Sequence, residues 1–150
     1  MKSAVPALCL LLLACHPSSG TPDDTTLYNG NRQEEALSPG VQPVRIGETG
    51  AAFAACAAVG TVTDLSPGGQ AYLPLRAAPF AEGKELARLA NGQSLVLCTR
   101  SLDQRWQGVV VPDANGGDCG VSNPVAAPEA YAGPCQSGWV SSAFVRVRAN

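Results

Sequence analysis

A chain of 150 residues with 10 Lys and Arg against 12 Asp and Glu carries a formal net charge of −2, and this gives no electrostatic drive towards DNA or RNA. The length allows one small domain. With 16 Gly, 12 Pro and only 5% aromatic residues, the composition suits turns and short strands better than long helices, so a mostly β fold is expected.

In chain order, residues 1–14 start with a single cation, Lys2, and continue as an apolar run from Ala4 to Leu13 interrupted by Pro6. Such a run is too short to span a bilayer and matches the apolar region of a secretory signal peptide. Its end, Leu12-Leu13-Ala14-Cys15, resembles the lipobox of bacterial lipoproteins. That resemblance implies cleavage before Cys15 and lipidation of its thiol, with Cys9 lost in the leader. Two or three acyl chains, at about 0.8 kcal/mol per buried CH₂, hold a protein stably on a membrane where one does not. His16 rather than Asp follows the cysteine, and in that family this implies the outer membrane, with the protein facing the periplasm.

Residues 15–50 are rich in Ser, Thr, Pro, Gly, Asn and acids, and their apolar residues are too widely spaced for helix or strand periodicity. They read as a disordered tether, about 35 residues with a root-mean-square span of roughly 30–35 Å. A helical turn over 32–37 is possible and would end before Pro39.

Residues 51–150 read as the folded domain. Ala51 to Val59 is apolar without clear periodicity, and the first secure strand is expected from Val59 to Leu65, before the turn Ser66-Pro67-Gly68-Gly69. An extended segment, Ala71 to Pro79, is bracketed by prolines. Lys84 to Ala90 runs into Asn91-Gly92, a strong turn signal, and Ser94 to Arg100 follows as a strand. Arg105 to Val111 is another strand, stopped by Pro112. Gly138 to Val147, with Trp139, a Ser141-Ser142 turn and an apolar/basic alternation, reads as two closing strands.

The succession Leu73-Pro74-Leu75-Arg76-Ala77-Ala78-Pro79, Asn91-Gly92, Arg105-Trp106 and Gly138-Trp139-Val140 with Phe144 resembles a bacterial SH3 domain over residues 59–148. It implies a small SH3-like β-barrel that binds peptidoglycan or an envelope protein and does not catalyse. Three departures stand out: Pro74 at a position usually polar, the stretch 51–58 with no counterpart, and an insertion, 112–137, in place of a short hairpin. A loop of this length adds little closure entropy and is unusual unless ordered or functional.

Four cysteines, Cys56, Cys98, Cys119 and Cys135, fall in the domain, an even number that suits disulfides in an oxidising compartment. Of the three pairings possible, Cys119 with Cys135 would close the insertion on itself, contributing about 3 kcal/mol, and Cys56 with Cys98 would then pin the stretch before the first strand. No two of the four have structural-zinc spacing, and Asp113 to Asp118 lacks the glycine register and distal glutamate of a calcium hand. No metal or cofactor is expected. The lone histidine, His16, lies in the tether beyond reach of the thiols, so no catalytic residues are assigned. Tyr72, Arg76 and Trp106 are the candidate ligand contacts, although aromatics in a barrel this small more often serve the core, and Arg76 is most simply a solvated strand residue. A second class of function is an immunity or inhibitor protein that uses 112–137 to block a periplasmic toxin or cell-wall hydrolase.

Overall fold

The computed structural model describes residues 40–148. The leader, Cys9, Cys15 and the turn at 32–37 lie outside them. Among the described residues nine strands run in chain order: β1 (Arg45–Ile46), β2 (Ala58–Val62), β3 (Leu73–Arg76), β4 (Glu85–Leu89), β5 (Ser94–Arg100), β6 (Trp106–Val111), β7 (Glu129–Ala130), β8 (Gln136–Ser141) and β9 (Val145–Val147), with a 3₁₀ turn at Ser142–Phe144. The fold is mostly β, as composition leads one to expect.

The strand boundaries follow from local chemistry. β2 stops at Val62 rather than reaching Leu65 because Asp64 sits at φ 62°, a left-handed conformation that no strand tolerates and that Asp adopts more readily than most residues. The β4–β5 turn carries its positive φ on Gly92, at 81°, where the missing Cβ removes the steric cost.

Seven strands form one antiparallel sheet in the order β4-β3-β8-β6-β5-β2-β9. A flat sheet would set β4 and β5 about 19 Å apart at four strand spacings. The turn joining Leu89 to Ser94 reaches about 17 Å when fully extended, so the sheet must curl. The turn lies against β2, with Gly92 N–H donating to Val62 O at 2.8 Å and Val62 N–H to Gln93 O at 3.0 Å. No ladder joins the outer strands β4 and β9 among the described residues. The closed barrel expected from the sequence is therefore an open, curled sheet.

Curling puts alternate residues of each strand on an inner face, where Val62, Leu73, Leu75, Leu89, Leu95, Leu97, Val109, Val111 and Val140 pack into one core. The outer face carries a second core built from Ile46, Ala55, Cys56, Val110, Cys119, Val121 and Cys135. Strand β6 lies between the two, so Gln107 to Val111 are all buried. This explains the unbroken Val109-Val110-Val111, because a strand covered on both faces has no solvent side to make polar.

The outer cover comes from two segments that the sequence treats as tether and loop. Residues 40–50 belong to the folded unit: Val44 is 1% exposed and Ile46 5%, and β1 pairs with β7 from the insertion. Val44 and Ile46, which read as part of a tether, are thus packed on the sheet, because two buried side chains in a polar stretch carry no periodicity to detect. Both disulfides join the expected cysteines, Cys56 with Cys98 and Cys119 with Cys135. Their sequence separations of 42 and 16 correspond to about 4 and about 3 kcal/mol in the loop-entropy model.

Gly138 shows how tightly the sheet bends. A Cβ there would lie 2.7 Å from the Arg76 carbonyl oxygen and 2.8 Å from Leu75 Cγ, so β3 itself would have to move. Gly138→Ala is expected to cost about 1–3 kcal/mol, read as a lower urea midpoint at unchanged m. Gly117→Ala, with open space around its Cβ, should stay within about 0.5 kcal/mol.

Candidate functional site

The three ligand contacts expected from the sequence, Tyr72, Arg76 and Trp106, are not among the residues that line the cleft beside β5. Tyr72 is half-buried just before β3, with the Arg88 guanidinium stacked 4.2 Å from its ring centroid and Arg88 Nε donating to Glu85 Oε1 at 2.7 Å. That hydrogen bond, with the Glu85 charge, raises the Arg88 pKa. Arg76 is half-buried rather than solvated, and its Nη1 donates to the Gly83 carbonyl at 2.8 Å. Its job is to close the β3–β4 loop. Trp106 and Arg76 share the outer face, separated by Trp139 and Ser141 of β8, their cross-strand partners. Trp139 is core, 2% exposed, with its indole N–H donating to Gln42 O at 2.7 Å.

Trp106 is held by the β5–β6 turn. Its N–H donates to Ser101 Oγ at 3.0 Å, while Ser101 Oγ–H and Arg105 N–H both donate to Asp103 Oδ1. Those two bonds stabilise the carboxylate and hold the Asp103 pKa below its ordinary value.

A different group of residues does converge. Between Leu97 and Thr99 the β5–β6 register slips, a bulge that places one extra residue, Cys98, in the strand. Beside it opens a cleft of about 390 Å³ lined by Glu48, Thr49, Ala57, Ala58, Leu97, Cys98, Thr99, Arg100, Gln107 and Val147. The volume falls at the lower end of the usual range for ligand pockets, roughly 300–1,000 Å³.

Its polar wall is a connected network. Thr99 Oγ1 donates to Glu48 Oε2 at 2.5 Å. Gln107 Nε2 donates to Thr99 O at 2.6 Å, and Gln107 Oε1 accepts from Arg100 Nε at 3.0 Å. Thr99 and Gln107, at 8% and 5% exposure, are the two buried polar side chains among the described residues, and both face this one cleft. The rest of the lining includes the apolar Ala57, Ala58, Leu97 and Val147 and the half-buried Cys98 of the disulfide.

None of Glu48, Thr99, Arg100 or Gln107 stands out in the sequence, except that Gln107 interrupts an otherwise apolar strand. Their meeting depends on the bulge and on residues 47–57 being pinned by Cys56. All four described cysteines are in disulfides, and no group of three or more His, Cys, Asp and Glu among the described residues could hold a metal ion. Asp113 to Asp118 forms a polar turn, with Gly116 N–H donating to Asp113 O.

Comparison of the chain with protein-family models, curated proteins and solved structures finds no match.

The Asp103 bonds make a pH prediction. A carboxylate with a depressed pKa contributes its stabilisation fully above the ordinary aspartate range, and that contribution is lost as pH falls through the lower folded value. The amide shifts of Arg105 and Trp106, whose N–H groups are bonded into this turn, should hold steady from neutral pH into the ordinary carboxylate range and change only below it. In Asp103→Asn that acid transition should be absent.

Proposed function

We propose that the chain is a non-catalytic, lipid-anchored protein of the bacterial envelope, tethered at Cys15 to the outer membrane and facing the periplasm. Its module, an opened relative of the SH3-like barrel, takes a peptide of the peptidoglycan or a segment of an envelope protein in the cleft beside the β5 bulge. One observation carries this reading: Thr99 and Gln107, the two least exposed polar residues among the described residues, line a single open cleft. Burying a hydroxyl and an amide costs free energy unless each is hydrogen-bonded, and here the bonds also orient Glu48 and Arg100 at the cleft mouth. A module with no use for the cleft would be more stable with it filled.

Two disulfides suit an oxidising compartment, which agrees with the leader and lipobox. The order of the glycine turn, the tryptophan strand and Gly138-Trp139-Val140 supports SH3 kinship, and the open β4 and β9 edges are where this sheet departs from it. The inhibitor reading has weaker support, because Cys119, Val121 and Cys135 hold the insertion down as the roof of the second core. It is not a free finger.

The full chain is expected to co-sediment with purified sacculi, and Val147→Glu, on the half-exposed cleft rim, should abolish this with near-UV circular dichroism unchanged. Wild-type protein that stays in the supernatant would remove the wall as the target. Cys15→Ala should move the protein from the membrane fraction to the soluble periplasm; an unchanged membrane fraction would refute lipidation.

A further inference from the structure

The chemistry of the cleft narrows what it can hold. Arg100 Nε is committed to Gln107 Oε1, and Gln107 is in turn fixed by the Thr99 carbonyl, so the guanidinium is anchored through its Nε. Its two terminal nitrogens have no hydrogen-bond partner among the described residues, leaving the fork that matches a carboxylate with two parallel bonds. Glu48 is the counterpart of opposite sign. Its Oε2 accepts from Thr99, while Oε1 is ion-paired with Arg45 Nε at 3.6 Å, a partly exposed pair without a hydrogen bond. One carboxylate oxygen therefore remains able to accept.

Ala57, Ala58, Leu97 and Val147 line the same cleft and offer apolar surface to an alkyl body. An anion without a cation would bring its charge up to Glu48, and a cation alone would meet Arg100. A ligand with a carboxylate at one end, an ammonium at the other and a short apolar body between them meets a complementary group at each point.

Resting on the proposal that this cleft is the binding site, we infer that it recognises a small zwitterion, a free amino acid or short peptide with an unblocked carboxylate on Arg100 and an unblocked ammonium on Glu48. The ligand can arrive free in the periplasm or as the exposed end of a wall peptide, since both present the same two groups.

The test is a titration of the full chain, carrying Cys15→Ala for solubility, with alanyl-alanine, its N-acetyl derivative and its C-terminal amide, followed by calorimetry and by amide shifts at Thr99 and Gln107. The dipeptide should bind, with each blocked form weaker by about tenfold or more, the loss expected for one charge-assisted contact of about 1.4 kcal/mol. Arg100→Gln should erase the difference between acid and amide while keeping that between free and acetylated amine. Glu48→Gln, which can still accept from Thr99, should do the reverse. Equal affinity for all three probes, or no binding at millimolar dipeptide by protein that sediments with sacculi, overturns the zwitterion site and leaves wall binding standing. Dipeptide binding without sedimentation supports the site for free ligand and removes the wall.

Discussion

Trp139 is the side chain on which the two layers of this molecule depend. It lies on the outer face of β8 opposite Gly108 of β6, and the glycine is required because a Cβ there would come within 2.5 Å of Thr99 Cγ2 and also crowd Val44 and the indole. The flat site accepts the ring, and the ring's N–H then captures the Gln42 carbonyl from a segment 97 positions earlier. A buried indole donor without a partner would be costly. Satisfying it fixes where residues 40–44 cross the sheet.

The remaining cover follows from that crossing. Once Gln42 is placed, its N–H reaches Ala77 O, Val44 drops onto the outer face, and the Val44 carbonyl accepts from Tyr131 N–H at 2.8 Å. Tyr131 then works in two directions: its hydroxyl donates to Cys119 O at 2.9 Å and accepts from Cys135 N–H at 3.0 Å. The disulfide-closed insertion is thus organised by one phenol at its centre and tied to the N-terminal segment by the β1–β7 pair. A two-residue ladder is too short to persist alone; here the cystine, the buried Ile46 and Val121 and the half-buried Tyr131 around it supply the stability that the hydrogen bonds lack.

Much of the sheet was legible from residue order. The strand run Ser94 to Arg100, the Asn91-Gly92 turn and the Gly138-Trp139-Val140 ending each encode their structure within a few residues. The cysteines made both disulfides foreseeable. What was hidden is long-range. Val44 and Ile46 look like isolated apolar residues in a polar stretch, and only a partner 83 positions away, Pro128 accepting from Arg45 and β7 beside it, makes them core. The cleft was hidden for a related reason: Glu48, Thr99 and Arg100 each read as ordinary solvated residues, and Gln107 alone broke a pattern. Tyr72, Arg76 and Trp106 drew attention as large or charged groups, yet each is engaged in holding its own turn or edge.

The cleft is best understood as a consequence of how the cover ends. Residues 47–57 must return from β1 to β2, and they do so across the outer face, held by Ala55 N–H to Asn123 O, Cys56 N–H to Val121 O and the Cys56–Cys98 bond. The disulfide meets β5 where a regular ladder would present an evenly spaced strand, and the bulge accommodates it. Accommodating it turns Thr99 back towards Gly108 and leaves Arg100 opposite Gln107, so the strand end cannot finish as an apolar surface. Polar groups stranded there need partners, and Glu48 from the returning segment supplies one. The cystine that locks the cover onto the sheet is therefore also what sets a carboxylate, a guanidinium and an apolar wall around one opening. Breaking it would loosen the site by the same step that frees the cover.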